Sequence, residues 1–266
     1  MTESARGPSD SDPLVRALRA AGSVFAEDEA ELLRDDAVDS DQLASWCARR
    51  VAGEPLEQIL GWVGFGDLRL AVGPRVFVPR QRSLLLAHAA LAEVRERTRP
   101  TMLEPYCGVA PIATTVRRRA DDAVVHATDV DAVALSYATR NLEDPAAVHR
   151  GTGLAGLPEA LRGRIDVIAA VPPYVPDSAI DTLPHEARDH EPHGALLAGP
   201  DGLQHVRDLV RESVEWLTPT GVVLIEINHA QFDAVADHAA TVGYRAAAIV
   251  GDDGQTVLAR LHANTS

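Results

Sequence analysis

The stretch MLEPYCGVAP, residues 102–111, decides the fold of this chain. It contains a short apolar segment, a loop with one glycine, and the first residues of a helical pattern. From residue 83 onward the same order of apolar segment, loop and helical pattern recurs along the sequence. Such a repeated alternation is typical of a parallel sheet whose strands are joined by crossover helices. We therefore expect an α/β fold with a doubly wound sheet.

Seven segments have the length and apolar composition of buried strands. They are residues 102–105, 123–128, 148–150, 165–171, 222–227, 245–250 and 256–261. Helical patterns lie at residues 83–97, 112–119, 132–141 and 203–217. Only residues 251–255 separate the last two strands, so these strands should pair as an antiparallel hairpin at one edge. The prediction is a seven-stranded, mostly parallel sheet.

Three regions precede the sheet domain, which we place at residues 83–266. Residues 1–12 are small and polar, which is typical of a disordered tail. Residues 13–54 contain three helical patterns, the first opened by Asp12 as N-cap, and should form a small helical domain. Residues 55–82 alternate short apolar runs with glycines and are predicted to form a linking β-hairpin.

The composition of the 266 residues is that of a globular protein, with 46% hydrophobic and 24% charged residues. A formal net charge of −14 disfavours binding of nucleic acid over most of the surface. Because no apolar run is long enough for a membrane span and the first residues lack a signal-peptide pattern, we expect a cytoplasmic protein without membrane contact. Cys47 and Cys107 form no CxxC pattern and are expected to be free thiols.

In an open α/β sheet, ligands bind at the carboxyl ends of the strands where the strand order reverses, so the loop after the first strand is the candidate nucleotide site. A dinucleotide needs GxGxxG there, and the presence of Gly108 alone disfavours NAD. S-adenosylmethionine has no phosphate; it needs a close backbone approach, an acid near its ammonium group and an acid on its ribose. Gly108, Glu104 and Asp129 fit these needs in turn. The alternative for Asp129 is an N-cap of the next helix, for which Asp131 is better placed.

Several short motifs beyond this loop occur in a recognisable order. They are FVPR (77–80) followed by Ser83, RNL (140–142), VPPYVP (171–176), DHEP (189–192), GPDGL (199–203) and IEI (225–227) with Gln231. With this series, the part of the chain from about residue 55 to 260 resembles the protein-(glutamine amide) N-methyltransferases, the family of release-factor and ribosomal-protein glutamine methyltransferases. It looks most like a diverged branch with VPPY in place of NPPY. The resemblance implies the sheet of S-adenosylmethionine-dependent methyltransferases, a small N-terminal helical domain, and methyl transfer to nitrogen.

The resemblance also implies where the functional residues lie. Those expected at the cofactor are Arg80, Ser83, Glu104, Tyr106, Gly108, Asp129, Val130, Thr152 and Val171. Those expected at the reacting centre are Val171, Pro172, Pro173 and Tyr174. Arg80 and Ser83 have the alternative of a surface arginine and an N-cap serine. Thr152 stands where the family has an adenine-contacting acid, which predicts a weaker adenine contact.

The loop after the first strand departs from the family pattern, which has Gly-Ser/Thr-Gly there. Ala110 tolerates only part of the backbone range of glycine, and Pro111 fixes φ and removes an amide donor. The methionine end of the cofactor is therefore expected to bind differently.

The departure at Val171 bears on the methyl acceptor. In the family, an asparagine side chain and the carbonyl of the next proline accept hydrogen bonds from the substrate amide, whose nitrogen is a poor nucleophile and depends on orientation. Val171 cannot accept a hydrogen bond, so methylation of a glutamine amide is disfavoured. An amine, imidazole or carboxylate would not need the asparagine. The apolar wall of Val171 and Tyr174 favours a small molecule over a protein glutamine as methyl acceptor.

The loop at residues 177–196 is rich in titratable side chains. Its spacing matches no zinc motif, so we predict no metal site. His185, Glu186 and His190 are candidate substrate-binding residues, with a histidine or glutamate of this loop as a possible general base. The alternative is a solvated lid.

Two kinds of function remain open. The first is an S-adenosylmethionine-dependent methyltransferase acting on a small molecule or on a protein glutamine. The second is a protein that binds S-adenosylmethionine and cyclises or cleaves it, or a non-catalytic paralogue, which the altered loop and the missing asparagine favour. Because Gly108, Asp129, Arg80 and residues 172–174 occur together, the first function is preferred.

Overall fold

The computed structural model describes residues 12–263. The helices are α1 (Pro13–Ala20), α2 (Ala26–Asp36), α3 (Ser40–Val51), α4 (Leu56–Leu60), α5 (Leu84–Arg95), α6 (Pro111–Arg119), α7 (Ala132–Leu142), α8 (His185–His190), α9 (Gln204–Trp216) and α10 (Phe232–Thr241). The strands are β1 (Trp62–Phe65), β2 (Leu68–Ala71), β3 (Thr101–Pro105), β4 (Val124–Asp129), β5 (Val148–Arg150), β6 (Ile165–Ala170), β7 (Leu217–Asn228), β8 (Tyr244–Val250) and β9 (Thr256–Ala263). None of the helices within residues 12–263 has both the length and the apolar character to cross a bilayer.

Strands β3 to β9 form one seven-stranded sheet in the order β5-β4-β3-β6-β7-β9-β8. Strand β9 alone runs opposite to the other six strands and pairs antiparallel with both β7 and β8. The predicted mostly parallel sheet with a terminal hairpin is therefore confirmed. The chain proceeds from β3 to β5 in one direction and from β6 onward in the other. The strand order therefore reverses between β3 and β6, and a crevice at their carboxyl ends follows from this topology.

Helices cover both faces of the sheet, as parallel strands require. On one face, buried side chains of α5, α6 and α7 pack against the sheet together with Phe65 and Leu70 of the β1–β2 pair. On the other face, α9 and α10 pack against Leu103 of β3 and Ile168 of β6. Each face therefore has its own hydrophobic core, and the carboxyl edge between them is left for ligands.

The N-terminal helices form a third cluster, built from Val15, Leu18, Leu33 and other small apolar side chains. Helix α1 begins after Asp12, whose carboxylate accepts a hydrogen bond from the Leu14 amide at 2.9 Å. Of the predicted tail, only Asp12 lies within the described residues, and it is a helix cap there. Helix α4, which follows the predicted domain boundary at residue 54, contributes the buried Ile59 to the same cluster.

The predicted hairpin linker at residues 55–82 is correct only in its central part. Strands β1 and β2 pair antiparallel, with Phe65 opposite Leu68 and Gly66 at φ +60° in the turn. The residues before them are helical instead, because Gly61 adopts φ +83° and ends the short α4. The residues after β2 are not strand, and Gln81–Ser83 form a 3-10 turn that leads into α5.

Candidate active site

A cavity of about 780 Å³ lies at the carboxyl ends of β3, β4, β6 and β7. Its position is the one that the reversal of strand order predicts. We divide it into two parts. The cofactor end is lined by Glu104, Tyr106, Gly108, Asp129, Val130 and Thr152. The acceptor end is lined by Arg82, Val171, Pro172, Pro173, Tyr174 and Glu226.

The loop after β3 has an unusual backbone at the cofactor end. Tyr106, Gly108 and Ala110 all have positive φ, at 55°, 53° and 59°. Residues other than glycine adopt this conformation rarely, because Cβ crowds the carbonyl. The Gly108 amide donates to Asp129 Oδ2 at 2.8 Å, which fixes the loop against β4. A Cβ at Gly108 would meet no atom within 4 Å, so the backbone is open to a ligand here.

Glu104, the acid predicted near the cofactor's ammonium group, is buried at the end of β3. Its carboxylate accepts hydrogen bonds from the amides of Ala113 at 2.6 Å and Ile112 at 3.3 Å. These amides are in the first turn of α6, where helix geometry leaves them without carbonyl partners. Burial nevertheless raises the pKa of Glu104 to about 8. The residue is therefore a buried acid, fixed by a helix start, at the floor of the cavity.

Asp129, predicted to contact the ribose, ends β4 with both carboxylate oxygens engaged. Oδ2 accepts from the Gly108 amide at 2.8 Å and Oδ1 from the Asp131 amide at 2.9 Å. Burial raises its pKa. The alternative, Asp129 as the cap of α7, is wrong, because Asp131 accepts from the Val133 amide at 2.7 Å and caps that helix. Each Asp129 oxygen keeps a second lone pair for a hydroxyl donor.

Two further predicted cofactor residues, Thr152 and Val130, line the same end of the cavity. Tyr106 lies beside His205, with ring centroids 5.6 Å apart and the planes tilted by 53°. His205 also lines the cavity and was not among the predicted residues. Together these side chains form the less polar wall of the cofactor end.

The VPPY segment lines the acceptor end directly after β6, as predicted. The Tyr174 carbonyl accepts from Gln231 Nε2 at 3.1 Å, and its hydroxyl accepts from Arg82 at 2.7 Å. A Cβ on Gly202 would lie 2.3 Å from the Tyr174 carbonyl oxygen, so only glycine fits beneath this turn. The segment is therefore held from both sides, and the side chain of Val171 presents only methyl groups.

Glu226 at the carboxyl edge of β7 was not among the predicted site residues, although it lies in the IEI motif. Its side chain is only 1% exposed, and Oε1 accepts from Arg82 at 3.4 Å. Burial raises the pKa of Glu226, and Ser83, which lies beside this carboxylate, lowers it in part. Ser83 occupies the N-cap position of α5, as the alternative stated, but its side chain makes no capping hydrogen bond there. The signal in the sequence was an acid within an otherwise apolar strand.

The segment at residues 183–196 covers the acceptor end and is anchored by Arg80. The Arg80 guanidinium pairs with Glu191 at 2.7 Å, and the Val78 amide donates to the same carboxylate at 3.1 Å. Arg80 still lines the cavity, but its charge is taken up by Glu191. Glu186 lines the cavity too and pairs with Arg50 of α3 at 2.6 Å. The N-terminal helices therefore contact the segment at residues 183–196, which we call the cover.

The two histidines predicted to bind substrate do not line the cavity. The His185 side chain is 83% exposed and its Nδ1 is 2.8 Å from Arg188. The His190 side chain faces Gly53 of the helical unit instead. Of the three predicted substrate-binding residues, the structure places only Glu186 against the cavity. Within the described part of the chain, no group of three His, Cys, Asp or Glu side chains could hold a metal ion.

The cofactor end fits S-adenosylmethionine by the chemistry of its donor set. Asp129 offers free lone pairs for two ribose hydroxyls, and Gly108 presents open backbone. Glu104 is an acid next to these groups, suited to an ammonium group. When bound, the cofactor supplies the methyl group.

Solved methyltransferases share this fold. The ribosomal protein L11 methylase of Lactobacillus delbrueckii subsp. bulgaricus aligns with a TM-score of 0.52 at 15% identity, over 73% of this chain and 84% of that one. A methyltransferase from Pyrococcus furiosus aligns with a TM-score of 0.51 at 18% identity, over 83% of this chain and 99% of that one. No family model matches the chain.

The sheet order and the cavity at its carboxyl edge are those of the methyltransferase fold, and the sequence relatives identify the chain as an S-adenosylmethionine-dependent methyltransferase. The chain is 36% identical over 202 residues to the release factor glutamine methyltransferase of Deinococcus radiodurans and 31% identical over 221 residues to that of Mycolicibacterium smegmatis. These alignments cover 74% and 80% of the chain, and 70% and 77% of the relatives. The chain belongs to the release factor glutamine methyltransferase family, and the resemblance drawn from its motifs is confirmed.

A third relative, the release factor glutamine methyltransferase of Streptomyces coelicolor, is 36% identical over 182 residues. This alignment covers 67% of the chain and 64% of the relative, so the chain spans less than two thirds of that protein. The methyl acceptor of this chain therefore does not follow from the name of that relative.

Proposed function

We propose that this enzyme methylates a small nitrogen compound rather than a release-factor glutamine. The observation that carries the proposal is Val171, whose apolar side chain lines the acceptor end at the position of the family's asparagine. A glutamine amide bound there would leave an N–H donor without a partner in a closed site, at a cost of about 1 to 3 kcal/mol. Losing a hydrogen bond that orients the reacting group costs about 3 kcal/mol of transition-state stabilisation.

The remaining side chains support a different methyl acceptor with a more available lone pair. Pro172 still offers its carbonyl to one N–H, and Tyr174 and Val171 form an apolar wall for a short carbon chain. Leu183, Pro184 and Leu196 of the cover also line the cavity, which favours a compound that can be enclosed. An amine needs orientation in such a pocket, but it does not need the paired acceptors that an amide nitrogen requires.

A second candidate function is methylation of a protein glutamine. The identity of 31% to 36% to enzymes named for that reaction favours it, as does the presence of Pro172, Pro173 and Tyr174. The Val171 side chain argues against it.

The experiment that separates the two candidates uses radiolabelled S-adenosylmethionine with a bacterial release factor and, separately, a pool of small amines. We expect the parent enzyme to label amines and not the release factor, and Val171→Asn to gain labelling of the release factor. Val214→Asn, the same change at a half-exposed position on α9, serves as the control and should behave as the parent does.

Labelling of the release factor by the parent at the rate of a family enzyme would overturn the proposal and support the second candidate. Consumption of the cofactor without any methylated product would instead indicate cyclisation or cleavage at the sulfonium. Both results are read from the same reaction by separating protein, amine and cofactor-derived products.

A further inference from the structure

Glu226 lines the acceptor end and has one carboxylate oxygen without a hydrogen-bond partner. Its Oε1 accepts from Arg82, and Ser83 lies beside the carboxylate and lowers in part the pKa that burial raises, whereas no hydrogen bond reaches the buried Oε2. No other described side chain lining the cavity has such an atom. A buried acceptor without a hydrogen-bond partner destabilises the folded protein. A ligand that donates an N–H to Oε2 would remove this cost.

The strand register places Glu226 beside Val171. Ala170 at the end of β6 pairs with Ile225 of β7, so the next residues along the two parallel strands are Val171 and Glu226. Side chains at matching positions of neighbouring parallel strands point to the same face of a sheet. The hydrogen-bond acceptor that Val171 lacks is thus offered by the adjacent strand, as a carboxylate instead of a carboxamide.

The charge around Glu226 favours a cationic partner. Asp253, from the turn between β8 and β9, also lines the cavity, and its charge adds to that of Glu226. Arg82 is the cation that faces both carboxylates, and it also donates to the Tyr174 hydroxyl. Of the two carboxylates, Arg82 pairs directly only with Glu226. Asp253 accepts from two backbone amides and a threonine hydroxyl of the residues that follow it, so its negative charge has no ion-pair partner among the described residues.

The other charged side chains that line this part of the cavity are already paired. Arg80 is neutralised by Glu191, and Glu186 pairs with Arg50. Neither pair offsets the surplus negative charge that Glu226 and Asp253 leave at the acceptor end. A protonated amine would complete the charge balance, and a neutral amide would not.

We propose that Glu226 is the residue that binds the methyl acceptor, a primary or secondary alkylamine. Oε2 of Glu226 accepts a hydrogen bond from the ammonium group and takes up that proton, so that the freed nitrogen lone pair can receive the methyl group. This inference rests on the proposed function and names its substrate class. Pro172 offers a carbonyl to a second N–H, and the carbon chain lies along Val171 and Tyr174. Glu226 thereby selects amines over alcohols and amides of the same size.

The test measures binding without any methyl transfer. Ethylammonium, butylammonium and hexylammonium are each compared with the alcohol of the same chain length by ligand-observed NMR, in the presence of S-adenosylhomocysteine. We expect the parent to bind at least one of the amines about tenfold or more tightly than its alcohol. Parent protein that binds the amines and the alcohols equally, or binds neither, overturns the proposal without any variant being made.

Glu226→Gln supplies the second arm, because it places an N–H₂ donor where Oε2 accepts. It should remove the preference for the amine while leaving alcohol binding unchanged. The matched control is Glu93→Gln, which also neutralises a largely buried carboxylate paired with arginine, here Arg97 and Arg260, but Glu93 lies away from the cavity. Equal loss of amine binding in both variants would contradict a direct contact at Glu226.

Failure of this inference and failure of the proposed function give different results. The proposed function fails if the parent labels the release factor, an outcome read by methyl transfer. The role of Glu226 fails if the parent shows no preference for amines in the binding experiment, which contains neither release factor nor a methyl donor.

Discussion

The two ends of the cavity each contain a buried acid, Asp129 at the cofactor end and Glu226 at the acceptor end. The two carboxylates differ in the groups that hold them in place. Both acids lie at the carboxyl edge of a parallel strand, and burial raises the pKa of both. Asp129 accepts one backbone amide on each oxygen. Glu226 accepts a hydrogen bond from the side chain of Arg82, with Ser83 beside it, and has one oxygen with no partner.

The difference comes from the backbone around each strand end. After β4, the chain and the neighbouring loop bring the amides of Asp131 and Gly108 to the carboxylate, so the local fold itself fixes Asp129. After β7, the next residues form their own capping box between Asn228 and Gln231, and Glu226 receives no amide. Because backbone amides hold Asp129, the cofactor end can keep its geometry when side chains elsewhere are substituted. Substitutions at the acceptor end can then change which substrate is bound. The predictions below test this division.

The largest expected effect is on the pH dependence of stability, through Glu104. Its pKa is raised by burial from 4.5 to about 8 in the folded protein. The folded state therefore holds the proton more tightly than the unfolded state. The stability it contributes is full below about pH 4.5 and is lost as the pH rises through about 8, by up to about 5 kcal/mol. We expect the free energy of unfolding, measured with urea and plotted against pH, to fall in the parent and not in Glu104→Gln over this range. The two plots should therefore converge or cross as the pH rises.

Glu93→Gln is the control, because ion pairs with Arg97 and Arg260 lower the pKa of Glu93. Its contribution is present above the ordinary pKa and is lost only as the pH falls below it. The effect of Glu93→Gln should thus stay constant between about pH 6 and 9. A similarly constant effect of Glu104→Gln would show that Glu104 does not hold a proton in the cofactor end.

The second prediction concerns the anchor of the cover over the acceptor end. Glu191→Ala removes a buried carboxylate and leaves Arg80 and the Val78 amide without their partner. We expect a loss of about 3 kcal/mol in the free energy of unfolding, at the low end for a broken buried pair because Arg80 is 35% exposed. Urea unfolding measures the loss.

Glu159→Ala breaks the exposed pair between Glu159 and Arg162 and should cost less than about 1 kcal/mol. An equally small cost for Glu191→Ala would mean that the Arg80–Glu191 pair does not anchor the cover.

The third prediction is that Asp129→Ala lowers the affinity for S-adenosylmethionine. Loss of hydrogen bonds from a charged acceptor should cost about 2 kcal/mol, which is about thirtyfold in the dissociation constant of S-adenosylmethionine by calorimetry. Asp39→Ala removes an aspartate that caps α3 away from the cavity and should leave affinity unchanged. Equal affinities of parent and Asp129→Ala would contradict the ribose role.

The same division decided what could be predicted from the sequence. Local signals fix the sheet: apolar segments with glycine, proline and capping residues between them predict all seven strands, and the observed ends differ by few residues except in β7, which starts at Leu217. The short helices α4 and α8 were missed, because a helix of five or six residues has too little periodicity to read. The longer α10 was also missed, since its alanine-rich sequence shows a weak apolar stripe.

The cofactor end was predictable because its acids follow strands and act with nearby backbone. The acceptor end was not, because its contacts join distant parts of the chain: Arg82 and Glu226 are 144 positions apart, and Arg80 and Glu191 are 111 apart. His185 and His190 were predicted to bind substrate from composition alone. The direction of a side chain on the cover depends on how α8 packs, which the sequence of that loop does not reveal.

The smallest expected effect is at Ala110, in the loop where the chain departs from its family. Ala110 adopts φ 59° and ψ 53°, a conformation that costs a residue with a Cβ about 1 to 2 kcal/mol, whereas glycine loses up to about 1 kcal/mol of additional chain entropy. Ala110→Gly also removes a methyl group that is 0% exposed, worth about 0.8 kcal/mol, so the terms nearly cancel and the free energy of unfolding in urea should change by less than about 0.5 kcal/mol. The matched change Ala120→Gly, at the other end of α6 where φ is −140°, should destabilise by about 1 kcal/mol, since no strain is relieved there. Destabilisation of similar size at both positions would show that the Ala110 backbone is not strained, and that the cofactor end tolerates alanine in place of the family's glycine without cost.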